Sequence, residues 1–504
     1  MTEPGVPDER PSDLAGGARA LVALAGGVSI AAVLFMALSR LAFPFDIEWL
    51  EGAHVDAVER ILQGQPLYAA PSLAFIPFGY TPLYFHVSAL VGLVAGPTHL
   101  ALRLVSFAST LGCFGLIWLH VWRETRSGVA ALAAAGLFAA TFELTGGWFD
   151  LARVDMLFVL LVVATLHLLR HHHSVPGWAS AALLLTLAWL TKQTALIIAP
   201  WFVLGAMLWD WRRGLLFGAL STAGIAGSMI ALERWSGGWA SFYIFDVQGQ
   251  HWRQLLIPSR LLTFWYSDLI GPLGIALVFS VLPFATNESP ARRGPLRLML
   301  FAVLGLIFAA WLSRAEEGGH RNNLLPAAAG IALLFGLGHH RVIELAQAVK
   351  PSMRPRLEGM IGVAALLQFA ALTYNPAVHI PGPQERADGA RLLAHLRETP
   401  GAVYVAGHGH LATRLGKPMT AHVEAIRGVL RATRPGVAES LQAEVDAALA
   451  QRRYSQIIAT AGLGDFEDQI RATYADQAPH RGDDAVFWTL AGRDRRAEHL
   501  WLPR

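Results

Sequence analysis

A mainly α fold, a polytopic membrane bundle of about eleven helices, followed by a small α/β domain, is the architecture that this chain predicts. Three observations carry that expectation. Only 15% of the 504 residues are charged and 54% are hydrophobic, with a mean hydropathy of +0.41, whereas a soluble protein carries about 25% charged residues. Apolar runs that reach or approach the roughly 20 residues needed to cross a hydrocarbon core recur through residues 21–376. Over residues 384–504 the pattern changes to short apolar strands alternating with amphipathic helical stretches.

The elements follow in order. Residues 1–20 are polar and rich in proline and glycine, and are expected to form a disordered cytoplasmic N-terminus. No small-residue cleavage site follows the first apolar run, so 21–41 reads as a retained anchor. Further spans are expected at 98–121, 129–146, 154–169, 178–191, 194–209, 214–232, 268–285, 296–312, 323–338 and 358–374. The segment 80–96 is apolar but short, and Pro82 and Pro97 bound it. Placing it at the interface puts the basic loops WRETRS, LRHHH, DWRRG, ARRGPLR and HHRVIELAQAVKPSMRPR on one side, which their lysines and arginines mark as cytoplasmic. The first outer loop, 42–97, and the domain 384–504 then face outward. In that domain AVYVAG (402–407), QIIAT (456–460) and AVFWTL (485–490) read as strands, with helices in ADGARLLAHLRE (387–398) and ESLQAEVDAALAQRR (439–453).

Composition also excludes several classes. A net charge of +3 spread over loops orients the chain and gives no footprint for nucleic acid. The single cysteine, Cys113, permits no intrachain disulfide and no cysteine zinc framework. GHGH (407–410) lacks the spacing of a phosphate-binding glycine loop. The triplet His171–His173 and the pairs His339/His340 and His408/His410 read as ordinary histidines, with no carboxylate or cysteine at ligand spacing.

Ionisable residues at an apolar boundary are costly and usually face a cavity or each other. The outward side gathers many: Asp46, Glu48, Glu51, His54 and Asp56 in the first loop, Arg103 at the start of a span, Asp150, Arg153 and Asp155 in WFDLARVD. Lys192 and Gln193 follow in TKQT, and Arg314, Glu316, Glu317, His320, Arg321 and the polar Asn322 in SRAEEGGHRNN. Each has a plainer alternative. Asp46 and Glu48 suit the start of the helix whose apolar stripe begins at Ile47, Arg103 and Lys192 suit snorkelling anchors, and Arg153 and Asp155 suit a structural pair. Convergence from four loops is what favours an outward-facing site.

These residues resemble the C-type glycosyltransferases, multispan enzymes that use polyprenyl-phosphate-linked sugars, and within them the protein mannosyltransferase and lipid A aminoarabinose transferase superfamily. The motifs that carry the likeness are FDIE after the first span, GQPLY (64–68), YTPLYF (80–85), Arg103 in LRLVS, Asp155 in RVDMLF and Lys192 in LTKQT. The likeness covers about residues 40–200, extends toward NNLLP (322–326), and leaves out the C-terminal domain. Ile47 separates an acidic pair that is usually adjacent in the family.

The resemblance implies transfer of a sugar from a polyprenyl-phosphate donor to an acceptor hydroxyl on a glycan, lipid or protein, at the outer face of a bacterial cytoplasmic membrane. A carboxylate must take the acceptor proton, with Asp46 the first choice, Glu48 the second and Asp155 a further catalytic candidate. Cations must face the departing phosphate, a role for Arg103, Arg153, Lys192 and Arg321. Tyr80, Gln193, Glu316, Glu317 and His320 are candidates to bind the sugar or acceptor, while Glu51 has no matching motif position. A carboxylate opposite the leaving group implies direct displacement with inversion. One donor phosphate calls for no metal or other cofactor, although a pyrophosphate donor would favour a divalent ion near the acidic pair. A lipid-linked sugar flippase and a non-catalytic assembly subunit remain as alternatives.

Overall fold

The computed structural model describes residues 13–250, 258–284, 290–316, 318–459, 466–477, 490–491 and 499–504. Every apolar run expected to span forms a helix. They are α1 (Asp13–Leu41), α4 (His99–Thr125), α5 (Gly128–Ala140), α6 (Asp155–His171), α7 (Val175–Thr191), α8 (Ala195–Trp209), α9 (Trp211–Ser236), α10 (Gly271–Val281), α11 (Pro290–Ala315), α12 (Leu325–Gln347) and α13 (Arg354–Ala371). Among the described residues, five helical stretches are long and apolar enough to cross a membrane: Gly16–Leu41, His99–Thr125, Trp211–Ser236, Pro258–Phe284 and Arg293–Ala315.

Helix ends follow local chemistry. Thr98 accepts from the Ala101 amide at the start of α4, Ser127 from Ala130 at α5 and Asp210 from Arg213 at α9. Gly237, at φ +60°, closes α9. Tight packing of α5 on α1 depends on small residues, because a Cβ on Gly136 would lie 2.2 Å from the Cα of Gly26. The span expected over 129–146 stops at Ala140, and the chain turns through Gly146 and Gly147, both at φ +79°. That turn delivers Trp148, Arg153 and Asp155 to the end of the bundle that carries the first loop. The span expected at 323–338 continues as helix to Gln347.

Two helices of the first loop, α2 (Glu51–Leu62) and α3 (Leu83–Ala95), lie between α1 and α4. At 13 residues α3 is about 20 Å long, short of the ~30 Å core. The C-terminal part contains α14 (Pro383–Glu398), α15 (Val423–Leu430), α16 (Val437–Ala450) and a four-stranded sheet. Its strands are β1 (Val403–Val405), β2 (Gln456–Ala459), β3 (Tyr474–Asp476) and β4 (His499–Pro503), in the order β1-β2-β4-β3. β1 and β2 are parallel, and β4 is antiparallel to both of its neighbours. Residues 485–489 of the expected strand AVFWTL lie outside the described residues, and β3 and β4 were not anticipated. This part docks on the first loop: Ala421 donates its amide to Leu73 O (2.8 Å), Leu73 its amide to Glu444 (3.1 Å), and Arg414 its guanidinium Nη1 to Pro44 O (2.8 Å).

Candidate active site

The chain between α1 and α2 is held by a fully buried ion pair. Arg103, four residues into α4, donates to both oxygens of Glu51 (2.9 and 2.6 Å) and to the carbonyls of Arg40, Phe43 and Phe45. Glu51 in turn accepts from the amides of Ile47 (2.6 Å) and Ala152 (2.7 Å), tying the first loop to the turn before α6. Burial alone would raise the Glu51 carboxyl, but Arg103 outweighs it and holds the group at about 2. Arg103, expected on the donor phosphate, is therefore spent on shaping the loop. The signal for Glu51 was present in the sequence: an arginine inside an apolar helix needs a carboxylate, and the first loop was the nearest source.

Above this frame opens a cavity of about 990 Å³. Its walls come from the first loop (Glu48, Trp49, Phe78, Tyr80), the turn before α6 (Trp148, Arg153), the α7–α8 apex (Lys192, Gln193) and the loop after α11 (Glu316, His320, Asn322, Asn323). Glu424, Arg427 and Arg431 of α15 and its end close another side. Arg153 donates to Glu48 Oε2 (2.9 Å) and to the Tyr80 hydroxyl (2.7 Å). Leu50 also donates its amide to Glu48 Oε2 (3.0 Å), so Oε1 takes no hydrogen bond among the described residues. Burial pushes the Glu48 carboxyl up to about 7 in spite of the Arg153 charge. Burial also lifts Glu316 to about 7, with Lys192 opposing.

Asp155 begins α6 and receives Lys192 Nζ (2.8 Å) and Asn322 Nδ2 (2.9 Å). Lys192 donates also to Asn323 (3.1 Å), which leaves the third proton of its ammonium for a ligand. Gln193 donates to Gly79 O (2.8 Å), fixing the wall rather than offering its amide protons alone. Trp148 stacks on His320 with ring centroids 6.3 Å apart. Arg321 is exposed and is not among the cavity-lining residues, and Glu317 lies outside the described residues.

Asp46 is placed elsewhere. It is fully buried, accepting from His99 Nε2 (2.6 Å) and His408 Nδ1 (2.5 Å), with His410 Nε2 at 3.7 Å. Burial opposes its ionisation, yet the three histidines, His410 foremost, hold its carboxyl well below the usual carboxylate range. It is not part of the cavity wall. GHGH (407–410), read from the sequence as an unremarkable histidine pair, supplies two of its partners. His410 presses against α2, where a Cβ on Gly52 would meet its Nδ1 at 1.9 Å. Asp46, His99 and His410 each offer a ligand atom, all within 4.8 Å, so this clasp between loop and C-terminal domain has the donors for a cation. No metal was expected from the sequence.

The fold is the C-type glycosyltransferase fold, and the chain is an integral membrane protein. It superposes on ArnT from Cupriavidus metallidurans bound to undecaprenyl phosphate with a TM-score of 0.60 at 12% identity, covering 94% of this chain and 97% of that one. The apo state of the same ArnT gives a TM-score of 0.60 at 13% identity, with the same coverage. The Archaeoglobus fulgidus oligosaccharyltransferase in complex with Zn and sulfate gives 0.51 at 12% identity, covering 86% of this chain and 68% of that one. No family model matches the sequence, and no curated protein matches it.

Proposed function

We propose that this protein transfers a sugar from a polyprenyl-phosphate donor to an acceptor hydroxyl, within the cavity and on the outer side of the membrane. The observation that carries this reading is the meeting of Glu48, Arg153 and Lys192 on the walls of one cavity. A carboxylate lifted to about 7 by burial is matched to taking a hydroxyl proton near neutrality. Its anchored oxygen, Oε2, fixes the group, and Oε1 is left for the acceptor. Lys192 and Arg153 supply positive charge where the lipid phosphate departs. Asp155 and Asn322 act as positioning residues that hold Lys192 and each other in place. Attack from the Glu48 side, opposite the phosphate, gives direct displacement with inversion at the sugar carbon. Trp49, Trp148 and Tyr80 offer flat apolar faces to a sugar ring.

The test is purified protein given radiolabelled polyprenyl-phosphate sugars and a panel of glycan, lipid and peptide acceptors. Transfer with inverted anomeric configuration is expected. Donor binding without transfer to any acceptor would favour a flippase instead. Substitution Lys192→Gln keeps a hydrogen bond to Asp155 but removes the charge, so the donor KM is expected to rise about 10–100-fold, the worth of one charge-assisted hydrogen bond. An unchanged KM would remove Lys192 from the donor phosphate. Because two protein cations face one phosphate, initial rates measured well below the melting temperature are expected to be unaffected by a chelator. Loss of rate on chelation, restored by a divalent cation, would assign the phosphate to a metal.

A further inference from the structure

The ends of α4 and α6 remote from the cavity bring three histidines together. His120 lies 21 residues into α4, and His167 and His171 lie one turn apart at the end of α6, about 18–24 Å along that helix from Asp155. The ring centroids of His120 and His171 are 4.8 Å apart, those of His120 and His167 5.5 Å, and those of His167 and His171 4.6 Å. One ligand atom from each lies within 4.8 Å of the other two. His120 is fully buried, and neither of its ring nitrogens has a hydrogen-bond partner among the described residues. The same holds for His167 Nδ1 and His171 Nε2. Glu124, one turn beyond His120, places Oε1 3.6 Å from His171 Nε2 and receives Arg170 on Oε2 at 2.8 Å.

A buried imidazole with both nitrogens unsatisfied, as at His120, is unfavourable, and a ring so placed, with an unsatisfied nitrogen on each of His167 and His171 beside it, has a simple remedy. We propose that His120, His167 and His171, with Glu124 as the fourth ligand, bind a divalent transition-metal ion of the zinc class that clamps α4 to α6 at the end of the bundle opposite the cavity. Imidazole donors suit zinc and its neighbours and do not suit calcium or magnesium. Four ligands at the usual 2.0–2.1 Å stand about 3.3 Å apart in a tetrahedron, a contraction from the present spread that side-chain rotation supplies. Paired His–His and His–Glu at i, i+4 on two packed helices put all four on facing sides. Arg123, whose Nη1 is 3.5 Å from His167 Nε2, and Arg170 oppose a cation. The Glu124 carboxylate offsets part of that charge. Reading the triplet His171–His173 as a unit hid this group: His173 instead packs against Trp209, with ring centroids 5.0 Å apart. The inference is independent of the proposed transfer reaction.

The full chain, purified with a tag that contains no histidine, is stripped with a chelator, given zinc chloride and desalted. Bound zinc and the zinc-induced rise in Tm are then measured. His120→Ala and His171→Ala are each expected to hold one equivalent less than the unsubstituted chain and to lose the Tm rise, with metal-free Tm values close to the unsubstituted one. His99→Gln, which acts only on the Asp46 group, is expected to keep that equivalent. Cobalt in place of zinc is expected to give tetrahedral visible absorption bands that the His171→Ala variant lacks. Should His120→Ala fail to fold, His171→Ala at the partly exposed helix end decides alone. Unchanged zinc content and unchanged Tm rise in His171→Ala overturn the proposal, as does an unsubstituted chain that retains no zinc.

Discussion

The Glu48→Gln variant is expected to lose turnover by roughly 10²–10⁴-fold, the usual contribution of a positioned general base, while donor binding is retained. Glutamine keeps the acceptor atom for the Leu50 amide and for Arg153, so the wall of the cavity survives and only the proton acceptor is lost. The pH profile gives an independent check. A base works in its ionised form, and burial has lifted this carboxyl to about 7. Turnover should therefore rise as pH passes upward through about 7 and level off above it. In Glu48→Gln the residual rate should lack that limb. The groups facing Glu48 are Arg153, Tyr80 and Glu51. The first stays protonated and the last, held at about 2, stays ionised across this range. The comparison that matters is Asp46→Asn. An asparagine there weakens the clasp formed with His99 and His408, so the protein should melt earlier while the folded fraction keeps its rate and its pH limb. Equal loss of rate in both variants, with folding intact, would return the base to Asp46.

The sequence ranks Asp46 before Glu48, whereas the cavity wall includes Glu48 and not Asp46, and the reason is physical. Asp46 and Glu48 stand two residues apart in one motif, and nothing local says which will meet the cavity. The outcome was decided by partners remote in the chain: histidines at 99, 408 and 410 on one side, Arg153 on the other. The helices themselves were legible because a run of apolar residues has few other places to go. Their ends were less so. The glycines at 146 and 147 cut α5 short and made the turn that carries Trp148 and Arg153. The motif residues Asp155 and Lys192 were found and do meet, at 2.8 Å. The α15 wall of the cavity lay beyond sequence reasoning, since Arg427 and Arg431 reach it only after the C-terminal part docks on the first loop.

Removing Arg103 is expected to have the largest effect on stability. It is completely buried, as is Glu51, and breaking such a pair by deleting one partner costs about 3–5 kcal/mol, because the other charge is left without compensation. Arg103→Met should exceed that loss. Three backbone carbonyls, of Arg40, Phe43 and Phe45, depend on the same guanidinium, and a thioether cannot donate to them. Glu51→Gln should fall short of it, since the amide still accepts from Ile47 or Ala152 while retaining one contact to Arg103. Thermal unfolding in detergent, followed by the fraction of monodisperse protein, should rank the three chains as unsubstituted, then Glu51→Gln, then Arg103→Met. Under the original expectation that Arg103 binds the donor phosphate, the ranking inverts in kind: Arg103→Met would fold normally and show a raised donor KM. A stable Arg103→Met protein with weakened donor binding would thus sink the structural assignment and place Arg103 beside Lys192 at the phosphate.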